Sequence, residues 1–151
     1  MPFFRSHDIG IIGYMALMQG VLAGSFASFD ELPPTRTRTR HFSGNRPGSR
    51  HGEPGFEPET LAVLQAIRAI AREENVAAPD LALAGALCNP AIDCVLAGCR
   101  NLGQLEANTR ALLLKLSEKT RGQLNVATDD LRKKLGPNPD FYQGTGHSRI
   151  W

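Results

Sequence analysis

Apolar residues fall at three- and four-residue spacing over residues 58–75, at Leu61, Leu64, Ile67, Ile70 and Ala71. That period puts them on one face of an amphipathic helix, and Pro58 suits its first turn. A shorter helix is predicted after Pro79, through "DLALAGAL" to Asn89-Pro90, and another from Asn101 to about Leu114. A last helix opens at Ser117, a favoured N-cap. It sets Leu124, Ala127, Leu131 and Leu135 on one face and stops at "GPNP", where Gly136 can take a left-handed cap. Two stretches break this period. "IGIIGYM", residues 9–15, and residues 92–97 are apolar runs without alternation, the pattern of strands buried on both faces.

Strands alternating with helices predict an α/β fold. Two buried strands, however, each need neighbours on both edges and helices on both faces. The sheet is therefore expected to be completed by another chain or by a larger sheet or barrel, and we favour the latter. Between about Asp30 and Glu57 the chain is rich in proline and glycine and has no regular period. Loops of that length inside compact domains are usually functional or unstructured. The tail "DFYQGTGHSRIW" also lacks periodicity, and no internal repeat is seen.

Composition changes this picture little. The chain has 151 residues, 42% hydrophobic, with a net charge of +2, enough for one domain with a core and too little charge to imply a polyanionic partner. Cys88, Cys94 and Cys99 make an odd count without metal-type spacing, which suits a reducing, cytoplasmic setting rather than a disulfide scaffold. Cys94 is expected in the core. The N-terminal stretch resembles a signal peptide, but Asp8 heads its apolar part and Gln19 interrupts it. The run is also shorter than the ~20 residues of a membrane span. No metal cluster, Ser-His-Asp arrangement or Walker loop is present.

The candidate chemistry lies in "DCVLAGCRNLGQLEAN", residues 93–108. A strand ends at Gly98, and a helix opens on Asn101 with Gln104 three residues later, a capping-box spacing. A helix start aimed back at a strand end offers amide donors and a positive dipole end to a phosphate. Gly98 permits close approach of a ligand, and Arg100 adds a cation suited to a phosphate monoester. An ordinary βα turn reads the same way.

"VLAGCRNLGQLEANTRAL" resembles the C-terminal cofactor motif of the aldo-keto reductases, and "GIIGYMALMQGVLAG", residues 10–24, resembles the family's seventh barrel strand and the turn after it. The long loop, the helices and a final helix opening on "LSE" follow in the family's order. The resemblance implies the C-terminal half of a (β/α)8 TIM barrel that binds NADP(H) and, in the full barrel, reduces small aldehydes or ketones by hydride transfer. It implies that Tyr14 stacks on the nicotinamide ring and that Leu17 and Gln19 touch the pyrophosphate. Gly98, Cys99, Arg100, Asn101, Gln104 and Asn108 would surround the adenosine and its 2′-phosphate. Three positions depart from the family pattern: Met15 for serine, Ala107 for glutamate, and Gly85 where a large residue usually packs.

The family's Asp, Tyr, Lys and His catalytic groups belong to the other half of the barrel. The chain alone is thus expected to hold no catalytic residue and to turn over no substrate. The alternative is a free-standing half-barrel that binds nucleotide or self-associates through open sheet edges. Residues 35–51, "TRTRTRHFSGNRPGSRH", carry five arginines and no acid. By resemblance this is a lid over the cofactor, one arginine assisting phosphate or an anionic substrate. A nucleic-acid arm or a solvated loop are the other readings. A single aromatic, Phe42, and the flanking Asp30, Glu31 and Glu53 argue against the arm.

Overall fold

A computed structural model describes residues 2–24, 26 and 28–136. The expected irregular tail, residues 137–151, lies outside the described residues. In order, the elements are α1 (Pro2–Ser6), β1 (Ile12–Gly13), α2 (Glu57–Glu73), α3 (Ala78–Leu87), β2 (Cys94–Val95), α4 (Leu102–Leu113) and α5 (Glu118–Leu135). Short 3₁₀ turns occur at Met18–Gly20, Phe29–Glu31 and Pro34–Arg36.

Each long helix ends for a local reason. α2 stops at Glu73 because Asn75 takes a left-handed conformation (φ 54°). The Val76 amide then bonds Ala71 O at 2.9 Å and the Asn75 amide bonds Arg72 O at 3.2 Å, the paired bonds of a Schellman motif. α5 begins where Ser117 Oγ accepts the Thr120 amide at 3.0 Å. It finishes at Gly136 (φ 67°), whose amide bonds Arg132 O at 3.1 Å.

The chain divides into two compact units. One comprises the residues up to Ala23 with Ile67–Asn125; the other comprises Gly24–Ala66 with the described residues from Val126 on. In the first, α3 buries Leu81, Leu83 and Ala84 and packs against α4, in which Ala111 is buried. Thr120, fully buried, donates to Glu74 Oε1 at 2.7 Å and so ties the start of α5 to the end of α2. Gly85 leaves no void: a Cβ there would meet Leu124 Cδ1 at 3.1 Å, so leucine fills the space the missing side chain would take.

The two strands pair in parallel, with Ile12 opposite Cys94 and Gly13 opposite Val95. The α/β reading therefore holds, but the expected burial of both strand faces does not. Ile12 is 60% exposed, Tyr14 61% and Leu96 60%. Cys94, expected in the core, is exposed as well. The physical reason is the strand count: a two-stranded ladder leaves each strand one bare edge, and only neighbours on those edges would extend the pairing beyond two residues. α4 likewise leaves Leu102, Leu105, Leu112 and Leu113 exposed, a stripe along one helical face. Among the described residues no helix is long and apolar enough to cross a membrane.

The second unit has its own core, built on Phe29, Phe42, Leu64, Leu131 and Leu135 with the buried polar residues Thr37, Thr39, His51 and Thr60. Phe29 and Phe42 meet edge to face, 5.2 Å between ring centres. Gly55 (φ 76°) is required: a Cβ there would lie 2.1 Å from the Phe42 carbonyl oxygen.

Candidate functional site

Parallel pairing brings the carboxyl ends of β1 and β2 side by side. The Leu96 amide donates to Gly13 O at 2.8 Å, the last rung before both chains turn away. The residues singled out in the sequence begin there: Tyr14, Leu17 and Gln19 after β1, and Gly98 through Asn108 after β2. Both groups lie within one unit.

The turn after β1 is unusual in its backbone. Met15 (φ 60°), Met18 (φ 50°), Gln19 (φ 56°) and Gly20 (φ 86°) are all left-handed, a conformation that costs non-glycine residues energy and clusters at functional sites. It is held by the Met18 amide on Met15 O at 2.7 Å and the Gly20 amide on Leu17 O at 2.8 Å. Tyr14 stands at its head with its ring open to solvent, which excludes a place for it in the core.

The turn after β2 is fixed from α4. Asn101 Oδ1 accepts the Gln104 amide at 2.9 Å, as its N-cap position predicts. Gln104 Oε1 accepts the Arg100 amide at 2.8 Å, one residue earlier than the N-cap amide of a standard capping box. Asn108 Nδ2 donates to Gly98 O at 3.4 Å. The amides of Asn101, Leu102 and Gly103 are engaged by no described group, and no described residue pairs with the Arg100 guanidinium. No atom lies within 4 Å of where a Cβ on Gly98 would sit. The site therefore combines open backbone donors, an unpaired cation and clear space, at the positive end of a helix dipole. That is the chemistry of an anion cradle. Among the described residues no cluster of potential metal ligands occurs.

The arginine-rich segment is engaged elsewhere. Arg46 grips Glu57 with two parallel bonds, Nε on Oε1 at 2.5 Å and Nη2 on Oε2 at 2.8 Å. It also reaches Asp30 at 2.9 Å and Phe29 O at 3.3 Å. The Ser43 amide adds a bond to Glu57 Oε1 at 2.7 Å. The Arg46 hydrogen bonds hold the Glu57 carboxyl below the usual carboxylate range and raise the guanidinium's own pKa further. Arg40 pairs with Glu53 at 2.6 Å and donates to Leu135 O, an open carbonyl at the end of α5, also at 2.6 Å. Half-buried His41 is pulled down to about 4, first by desolvation and then by the Arg40 charge. The reading of this segment as a lid with an arginine for phosphate or an anionic substrate did not foresee that Arg40 and Arg46 pair within the loop. The one signal of that pairing in the sequence was the set of acids, Asp30, Glu53 and Glu57, flanking the arginines.

A model of the aldo/keto reductase family matches residues 1–128, the span holding both strands, both turns and the helices through most of α5. The chain belongs to the aldo/keto reductase family. A curated relative, the Schizosaccharomyces pombe protein named aldo-keto reductase yakc [NADP(+)], is 29% identical over 130 residues, covering 86% of this chain and 36% of its own length. The chain thus spans about a third of the length of that aldo/keto reductase.

Proposed function

We propose that this chain supplies the NADP(H)-holding part of an aldo-keto reductase that reduces aldehydes or ketones. The relative's name gives NADP(+) as its cofactor, and the residues present here suit such a group. The observation that carries the reading is the pair of turns side by side at the strand ends, one with three unengaged helix-start amides beside an unpaired arginine. Tyr14 would stack on the nicotinamide ring, Leu17 and Gln19 would line the pyrophosphate, and Gly98, Cys99 and Arg100 would receive the adenosine 2′-phosphate. Asn101, Gln104 and Asn108 complete that end. The cofactor, when bound, supplies the hydride.

Carbonyl reduction also needs a proton donor within hydrogen-bond reach of the carbonyl oxygen. In the family that donor is a tyrosine tuned by lysine and aspartate, with a histidine beside it, and the matching part of the barrel lies outside these residues. We read the chain as the C-terminal part of the (β/α)8 barrel, binding cofactor without turning over substrate by itself. The loop at 30–57 is read as its lid. Because Arg40 and Arg46 are held internally, any anion contact from that loop falls to Arg36, Arg38 or Arg50.

A thermal melt with and without NADPH tests the cofactor reading. Ligand at a hundred times its Kd stabilises the native state by about 2.7 kcal/mol, an upward shift of about 5 °C or more for a chain of this size. A midpoint indifferent to saturating NADPH would sink it.

A further inference from the structure

We infer that residues 43–55 are a strap that opens as one piece while the helices beside it stay folded, and that the Glu57 carboxylate is its latch. The strap belongs to the loop-bearing unit alone, so it stands apart from the cofactor reading.

The ends of the segment meet. A Cβ on Gly55 would lie 2.1 Å from Phe42 O and 2.7 Å from the Ser43 nitrogen, and the Gly44 amide bonds Glu53 O at 2.8 Å. A surface segment closed on itself in this way is an Ω-loop. Its sequence, "SGNRPGSRHGEPG", has no leucine, isoleucine, valine, methionine or phenylalanine to place in the core. His51 alone is buried within it. The Nε2 atom of that ring has no partner among the described residues, a cost to the closed form rather than a fastening. What holds the strap is charge. Arg46 forks onto Glu57, the Ser43 amide joins the same carboxylate, and Glu53 pairs with Arg40. The Arg46 and Glu57 side chains are 17% and 24% exposed, so water screens this pair less than an open surface pair. Its two parallel bonds make it the stronger fastening. Phe42 before the strap and α2 after it are anchored by burial, α2 through Leu64, Ile67 and Ile70. A segment with polar fastenings between apolar anchors opens at a lower free energy than the whole fold. The strap carries Arg50, which pairs with no described residue, so the latch also sets where that cation stands.

Amide hydrogen exchange on the ligand-free 151-residue chain, read residue by residue at several low urea concentrations, tests this. In the wild type the Ser43, Gly44 and Ser49 amides are expected to exchange more slowly than in an unstructured chain, at rates nearly independent of urea. The Leu64 amide of α2 should instead quicken steeply with urea, because urea dependence scales with the surface exposed on opening. Glu57→Gln keeps the shape of the side chain and removes its charge. It should quicken the three strap amides about ten- to a hundredfold, the worth of hydrogen bonds to a charged group. Arg46→Met should do the same, and the two changes together should go little further than either alone, since the residues act as one unit. Strap amides that exchange in the wild type as in an unstructured chain overturn the strap, as do strap amides that share the urea dependence of Leu64. Strap amides indifferent to both Glu57→Gln and Arg46→Met overturn the latch. No nucleotide enters the test, so each of these outcomes leaves the cofactor reading where it stands.

Discussion

The two units of the molecule treat the same kinds of residue in opposite ways. In the unit built on Gly24–Ala66 the rings of Phe29 and Phe42 are inside, Phe42 being 1% exposed, and the long irregular loop is laced by ion pairs. In the unit that carries the strands, apolar residues stand in solvent at Ile12, Tyr14 and Leu96 and along α4, and the cation next to the helix start is unpaired. The irregular region is thus the one in which Arg40 and Arg46 are satisfied by its own chain, and the strand-bearing region is the one whose sheet and helix start have bonding capacity left over. Absence of periodicity in a sequence does not mark a segment as loose, and a strand pattern does not guarantee a finished sheet. Buried His51 Nε2 and Arg38 Nε have no partner among the described residues of the loop-bearing unit.

The comparison breaks most sharply at Phe42. Phe42→Ala should cost about 3–5 kcal/mol, the usual loss for a buried aromatic, read as a drop in the urea midpoint. A loss below about 1 kcal/mol, the level of ordinary surface changes, would mean that the loop has no core of its own.

A smaller effect is expected from acid. His41 has a folded pKa of about 4 against an ordinary 6.5, so the unfolded chain takes the proton first. Stability should fall as pH drops through that window. Glu57 is held below its ordinary 4.5, so its contribution is whole above that value and is lost as pH falls further. Urea midpoints between pH 7.5 and 3.5 should show both declines. His41→Gln should flatten the upper one. Glu57→Gln should flatten the lower one and cost about 1–3 kcal/mol at neutral pH. A wild-type midpoint constant from pH 6.5 to 4 would contradict this account.

The smallest change in stability belongs to the open strands. Ile12→Lys and Leu96→Lys should each move the midpoint by no more than about 0.5 kcal/mol, as exposed positions do. If the bare edges drive self-pairing, the same substitutions should reduce concentration-dependent sedimentation of the wild type. Severe destabilisation by either would mean that these side chains are covered in solution.

Much of the helical framework was legible in the sequence because helix ends are local events. Asn101, Ser117 and Gly136 each act within a few residues of themselves, and each sits where its type predicts. The end of α2 was misjudged by two residues, since the left-handed turn at Asn75 reads in the sequence as one more polar helical position. The strands were legible only as a demand for cover. An apolar run says that something must bury it, not that the same stretch of chain does so, and here only two residues of each run pair. The positions of the two turns were legible, through their glycines and caps and the family's motif order. The wiring around Arg40 and Arg46 was not, because the order of charges along a chain does not say which charges meet in space.

The bond from Arg40 to Leu135 O joins residues 95 apart in sequence. A ribosome adding about 5–20 residues per second reaches that carbonyl about 5–20 s after it has made the arginine. Over that interval the loop's aromatic core has none of the α5 residues that pack on it, and Arg40 has only Glu53 for a partner. The loop therefore cannot complete this contact until the end of α5 has been made.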